Sequence, residues 1–380
     1  MLDPDHVKYA RPAHRPASLA GMLLAVLSLI LAACAPNSAA APTAAPTAAS
    51  PTTAVALATT PAEAMGTAAP TAMANATSMG HAPKAYVGIF KDNVVAVLDT
   101  ATQKVLSTIP IPPGPHGLVV TPDGRWVYAS SDGDSKVSVI DTSTDQVVKT
   151  IEVGKSPHGL AITPDGHTVL AAVFGAGQVA FIDTASNTVT GQVPVANPHN
   201  IAISPDGQTA YVASQKTGAA ALVELKLSDQ TQTASIPLNQ VPRALNFSPD
   251  GKLLYFTQLN IDAVQVLDPA TNKVTTQIAV GASPHHPLFT PDGKLGLVVS
   301  QGPGQLTLLD PIENTVVRTV TVGKMPHWIA LVPNAATAWV TDEGSNDISV
   351  VDLKTGAVTA TITVGNAPRK IVVQPVVPAG

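Results

Sequence analysis

The chain has 380 residues, 45% apolar, 12% charged and 4% aromatic, with 21 basic side chains against 26 acidic ones. That is enough chain for one large all-β domain or two ordinary ones, at about half the charge density of a typical globular protein. The weakly acidic balance excludes nucleic acid as a main partner. The single cysteine excludes disulfides, cysteine-rich zinc sites, iron–sulfur clusters and C-x-x-C-H attachment of heme.

Residues 1–33 read as an address. Lys8, Arg11 and Arg15 precede an apolar run from Leu19 to Ala33, the basic-then-apolar order of a secretory signal and too short for a comfortable membrane span. The run ends Leu31-Ala32-Ala33-Cys34, which resembles the bacterial lipoprotein lipobox. The resemblance implies cleavage before Cys34 and acylation of that cysteine, which is the chain's sole thiol. The expected product is an extracytoplasmic lipoprotein whose first partner is a membrane, reached through its acyl chains. Cleavage leaves 18 basic against 24 acidic residues, so the mature chain stays mildly acidic.

Residues 34–84 begin with that cysteine and continue as an Ala/Pro/Thr-rich stretch. Between 35 and 80 the only charge is Glu63, and no apolar period of 2 or 3.6 survives. Such a composition buries too little to offset ordering entropy, so it reads as a disordered, fairly extended tether. Met65, Met73, Met79 and His81 offer soft ligands for copper(I), but among so many alanines they read as filler.

From residue 85 to 380 a repeat takes over. A Pro-His or Pro-Arg dipeptide begins at Pro115, Pro157, Pro198, Pro242, Pro284, Pro326 and Pro368, at intervals of 42, 41, 44, 42, 42 and 42. Within one unit, 117–121, 125–130, 136–140 and 146–153 are strand-like, and Pro122-Asp123-Gly124 and Asp141–Asp145 are turns. Four short strands per unit of this length make a propeller blade. Six whole units lie between Pro115 and Ala367. Residues 85–114 hold the last three strands of a unit and 368–375 hold a first strand. Joined, the fragments complete a seventh blade and close the ring, which removes exposed sheet edges. The predicted fold is therefore all-β, a seven-bladed β-propeller of four-stranded blades, closed by the C-terminal strand joining the N-terminal three.

The segment Trp126–Gly166, WVYASSDGDSKVSVIDTSTDQVVKTIEVGKSPHGLAITPDG, resembles the YVTN-type β-propeller repeat family, and weaker copies fill the other blades. The resemblance implies the fold but not an activity. Similar propellers occur in surface-layer proteins, in lactonase-like hydrolases and in the large domain of nitrous oxide reductase, so function must be argued from a site.

Two sets of repeated residues could carry one. Acids eight residues after most of the prolines (Asp123, Asp165, Asp206, Asp250 and Asp292, degenerating to Asn334 and Val376) and twenty-six after (Asp141, Asp183, Glu224, Asp268, Asp310 and Asp352) fall in tight turns, where a carboxylate bonds nearby backbone N–H groups. The residue after each proline is His116, His158, His199, Arg243, His285, His327 and Arg369, five of the chain's ten histidines at seven equivalent positions. Preceding the innermost strand, these seven are expected to crowd the mouth of the central channel as a ligand-binding ring. Imidazoles there suit a metal or proton exchange, and the arginines suit a carboxylate or phosphate. His116, His158 and His199, on consecutive blades, are the best trio for copper or zinc; His285, His286 and His327 form a second cluster. The resemblance to nitrous oxide reductase, which holds copper with histidines in a seven-bladed propeller, adds a reason to consider copper. Two ring positions here are arginine, however, and no cysteine-containing electron-receiving domain follows.

Asp132-Gly133-Asp134-Ser135 has a calcium-loop look without the closing glutamate, Asp342, Glu343 and Asp347 read as a solvated acidic tip, and Trp328 is the ring-adjacent aromatic. These observations favour a lipid-anchored binding or scaffold module whose ring takes a small anionic ligand or an envelope protein. The alternatives are a metal-dependent or redox enzyme using the same histidines, and a purely structural envelope repeat protein.

Overall fold

A computed structural model describes residues 82–333 and 336–376. The signal segment, Cys34, the tether with Met65, Met73, Met79 and His81, and the last four residues lie outside the described residues. The described chain is all-β: seven antiparallel four-stranded sheets, with no helix among the described residues.

Blade 1 is the composite one. Its inner strand is Pro368–Val373, followed outward by Lys84–Ile89, Val94–Asp99 and Lys104–Pro110. Antiparallel pairing of Ala85 with Val373 and of Val87 with Ile371 closes the ring. Blades 2 to 7 have inner strands Pro115–Val120, Pro157–Ile162, Pro198–Ile203, Pro242–Phe247, Pro284–Phe289 and Pro326–Leu331. Each inner strand touches the next, and blade 1 touches blade 2, so the seven encircle one axis.

The burial pattern explains the residue types. In blade 2, the second and third strands, Trp126–Ser131 and Lys136–Asp141, are buried on both faces between neighbouring sheets and read as near-continuous apolar runs. The outermost strand, Gln146–Glu152, is mostly exposed and carries Gln, Lys, Thr and Glu. The turn aspartates have local work: Asp123 accepts from Thr121 Oγ1 at 2.5 Å and from Arg125 N at 3.0 Å. Hydrogen bonds from Ser143 hold Asp141 below the usual carboxylate range.

Blades are tied to one another by polar groups as well as by apolar packing. The phenols of Tyr86, Tyr128 and Tyr211 donate to Asp145, Asn187 and Asn272, each in the outer turn of the following blade. Those three acceptors all hold φ near +54°, a left-handed conformation that Asn and Asp tolerate, so one residue both shapes its turn and receives the tie.

Ending the chain after Asn366 removes the closing strand and should abolish the single cooperative thermal transition; a truncated chain that melts like the full one would show that closure is dispensable. Tyr211→Phe deletes one inter-blade tie and should cost about 1 kcal/mol in denaturant unfolding.

Candidate functional site: the axial histidine–arginine cluster

Each inner strand begins at the repeat proline itself, not after the following residue as the sequence suggests. Proline tolerates this place because the first residue of a strand owes no ladder hydrogen bond. Immediately afterwards every inner strand is irregular. In blade 2, Pro115 pairs with Ser131 but Leu118 with Ala129, one residue too many on the inner side. The same shift recurs in the other six blades. Such a bulge re-aims the residue it contains, and here it holds the histidine or arginine. The residue before the proline is left-handed at Ser156, Asn197, Ser283, Met325 and Ala367, with φ between 45° and 59°. That conformation is costly for most of these residue types, and it persists because the packed ends of the strands over-determine it.

All seven ring residues lie at one end of the axis, and none is an open lining. His116, His158, His199, His285 and His327 are at most 3% exposed, Arg243 is 2% and Arg369 is 0% exposed. The expected channel mouth is instead a packed chamber. Ring centroids of His116 and His158 are 4.1 Å apart, His158 and His199 4.9 Å, His116 and His199 5.7 Å. His285 and His327 are 4.3 Å apart, and His327 lies 6.1 Å from His116. The five imidazoles thus form one continuous series across blades 6, 7, 2, 3 and 4.

Among the described residues, His116, His158 and His199 are the one group of three possible ligand side chains whose ligand atoms all fall within 4.8 Å of one another. The second sequence-based cluster is not assembled. His286 turns away and stacks on Trp328, with centroids 3.6 Å apart and planes 13° apart, while its Nδ1 accepts from Ile329 N at 3.3 Å. Burial, then the nearby Lys370 and His327, push the His286 pKa well below that of a free imidazole.

The partners of the ring come from a second column of residues, seventeen after each repeat proline, at the start of the loop joining the second and third strands. Asp132 Oδ1 lies 3.2 Å from His158 Nε2; Phe174 packs on the same imidazole at 5.2 Å. Gln301 Oε1 accepts from Arg243 Nη2 at 2.8 Å, and Ser283 Oγ accepts from Nη1 at 3.0 Å. Glu343 Oε1 meets Arg369 Nη2 at 3.3 Å, and the Arg369 guanidinium lies 3.6 Å over the Phe90 ring. The acidic loop is therefore not a solvated tip: Asp342 is fully buried and Glu343 is 6% exposed. Packing of the chain from 323 to 325 over this hairpin, with Lys324 O and Met325 O accepting from Gly344 N and Glu343 N, takes it out of water.

Hydroxyls on the second strands hold the chamber walls. Ser130 Oγ accepts from Gly117 N and donates to His158 O of the next blade. Thr257 Oγ1 donates to His285 O at 2.7 Å and Thr341 Oγ1 to Arg369 O at 2.6 Å. Close approach of neighbouring inner strands requires glycine: a Cβ at Gly117 would overlap His158 O, and one at Gly159 would overlap Asn200.

One layer along the axis, Lys370 spans the channel. It starts on blade 1, donates from Nζ to Leu160 O of blade 3 at 2.9 Å, and lies 4.7 Å over the Trp328 ring of blade 7. Desolvation pushes its pKa down to about 7.

A family model described as cytochrome D1 heme domain matches residues 86–375, three quarters of the chain and the whole ring of blades. The chain belongs to that family. No curated protein matches it. Solved structures of similar fold include hydrazine synthase of Kuenenia stuttgartiensis, 21% identical with a TM-score of 0.66 over 70% of this chain and 91% of that one. The periplasmic gluconolactonase PpgL of Pseudomonas aeruginosa is 19% identical with a TM-score of 0.65 over 77% and 99%. The dihydro-heme d1 dehydrogenase NirN is 17% identical with a TM-score of 0.58 over 76% and 74%. At these identities the likeness is one of fold, and within the family this chain is a seven-bladed member.

Lys370 gives a signed pH test. Its amine binds fewer protons in the fold than in the unfolded chain between about pH 7 and 10.5, so stability should rise with pH across that window. Lys370→Met should flatten the rise in melting temperature; equal slopes for the two proteins would contradict a desolvated amine.

Proposed function

We propose that this chain is a YVTN-type, lipid-anchored extracytoplasmic binding module whose site is the axial His/Arg cluster, and that the cluster holds one copper or zinc ion. One observation carries the metal reading: three buried imidazoles from consecutive blades, with ligand atoms all within 4.8 Å of one another. An ion bonded to three nitrogens at 2.0–2.1 Å sets them about 3.4 Å apart, so the trio closes on it by about an ångström of ring rotation.

The surroundings support the same reading. The Asp132 carboxylate receives His158 Nε2–H, which leaves Nδ1 as the ligand atom; that nitrogen is buried with no hydrogen-bond partner. A carboxylate behind a ligating imidazole fixes its tautomer and raises its basicity. His199 Nδ1 lies 3.1 Å from Arg243 O, and donation there makes Nε2 the second ligand atom. Arg243 and Arg369 put two guanidiniums in the same buried ring, which favours an anionic exogenous ligand.

The family name raises heme, and the ring does not fit it. Heme needs an axial side chain facing a slot wide enough for the macrocycle. Here neighbouring imidazoles touch, at centroid separations of 4.1 to 4.9 Å, and each is at most 3% exposed. For attachment, the reading rests on Cys34 and the apolar run before it.

Elemental analysis of full-length protein from its own host should find about one copper or zinc per chain, lost in His158→Gln and His116→Gln with the thermal transition retained. Asp132→Asn should weaken metal affinity about 10- to 100-fold. Wild-type protein that arrives metal-free and takes up neither ion in dialysis would end the metal reading. Cys34→Ala should move the chain from the membrane fraction to the soluble one.

A further inference from the structure

Gln301 follows the second strand of blade 6, Gly296–Ser300, and is 7% exposed. Its Oε1 accepts from Arg243 Nη2 at 2.8 Å and from Ser283 Oγ at 3.4 Å. A guanidinium can only donate, so this contact fixes which corner of the amide is the oxygen. The Nε2 group at the other corner is buried and has no hydrogen-bond partner among the described residues. Gln215, at the equivalent place in blade 4, differs: its Nε2 donates to Pro242 O at 2.9 Å. A buried N–H donor left without an acceptor costs stability, and a native one calls for an explanation in a ligand, a water or a function.

Gln301 also lines a cleft of about 580 Å³ between blades 6 and 7, a size that suits a small molecule. Because Gln301 meets the axial ring, it marks the inner end of the cleft. Val358, on the outermost strand of blade 7, Ala357–Thr363, marks the outer end. Pro303, Val322 and Met325 give the wall an apolar surface. Lys324 and Asp347 are the one base and the one acid in the lining. Asp347 Oδ1 already accepts from Ser345 Oγ at 3.1 Å, and Lys324 is exposed. The missing acceptor at Nε2 therefore belongs beside an amide whose oxygen holds a guanidinium. Positive charge so close favours an anionic acceptor over a neutral carbonyl.

We propose that this cleft binds a monocarboxylate with a short aliphatic chain. The carboxylate accepts from Gln301 Nε2 at the inner end, and the chain lies along Pro303, Val322, Met325 and Val358. Asp347 disfavours a second acid group on the ligand. This site goes beyond the axial metal reading and needs no ion on the histidines. Gln301 joins the two, since one corner of its amide serves the cleft and the other holds Arg243.

The test uses the full chain, stripped of metal with EDTA and titrated in a calorimeter with sodium acetate, butyrate and hexanoate. Wild type should take up one hexanoate per chain saturably, with affinity rising about fourfold for each CH₂ the cleft buries. Gln301→Glu keeps an oxygen on Arg243 but puts a second oxygen where the N–H donor was. It should therefore melt no lower than wild type and bind hexanoate roughly tenfold more weakly. Val358→Thr should weaken hexanoate and leave acetate unchanged, and His158→Gln should bind hexanoate as wild type does. A wild type that takes up none of the three salts saturably would overturn the site. So would binding that survives Gln301→Glu and is lost in His158→Gln, because the carboxylate would then sit on the histidines.

Discussion

Seven strands converging on one axis leave, at their common end, space for one side chain from each, and in this protein all seven are polar. Polar groups taken out of water must find partners, and that requirement organises what surrounds the axis. The bulge after each proline aims the side chain inward, the hydroxyls of Ser130, Thr257 and Thr341 clasp the backbone carbonyls of the next blade, and the loop residues Asp132, Gln301 and Glu343 meet the ring from above. Glycine at 117 and 159 lets neighbouring strands come close enough for the imidazoles to touch.

The blade count and the closing strand were legible because a repeat of nearly constant length carries its own geometry: equal spacing in sequence becomes equal rotation about an axis. The same spacing placed His116, His158, His199, Arg243, His285, His327 and Arg369 around that axis. It could not give their distance from it, which is why an open lining was expected where the strands in fact pack shut. The partner column was missed for a different reason. Phe90, Asp132, Phe174, Gln215, Leu259, Gln301 and Glu343 stand at equivalent places but mix aromatic, acidic, amide and aliphatic side chains, with no type at more than two of the seven, so no dominant residue draws attention to them. Lys370 was hidden likewise, since its column elsewhere holds Gly117, Gly159, Asn200, Ala244, His286 and Trp328. The acidic hairpin of blade 7 looked solvated because it lies in a loop, while the chain from 323 to 325 lies across it.

Duplication followed by divergence explains the contrast between the two ends of each blade. Turn aspartates such as Asp123 and Asp141 do the same local work in most blades and so mostly remain aspartate, with Asn334 and Glu224 as departures. Positions that face other blades answer to seven different neighbourhoods. Arg243 is met by Gln301 and Ser283, Arg369 by Glu343 and Phe90, His158 by Asp132 and Phe174. A ring built from copies of one unit has in this way become asymmetric where chemistry is concentrated, with imidazoles on blades 6, 7, 2, 3 and 4 and guanidiniums on blades 5 and 1.

The seam in blade 1 has a further consequence. Lys84 and Gln374 bond to each other in both directions, Lys84 N to Gln374 Oε1 at 3.0 Å and Gln374 N to Lys84 O at 2.9 Å, so the described chain starts and stops side by side. A short peptide bridging those two points would make the backbone circular, and new termini could then be cut at the connection near Gly154 without unpairing a strand. In such a permuted chain every blade would be one unbroken stretch of sequence, and where blade 2 meets blade 3 the toroid would be fastened by no covalent link, only by packing and by contacts such as Tyr128 with Asn187 and Ser130 with the His158 carbonyl.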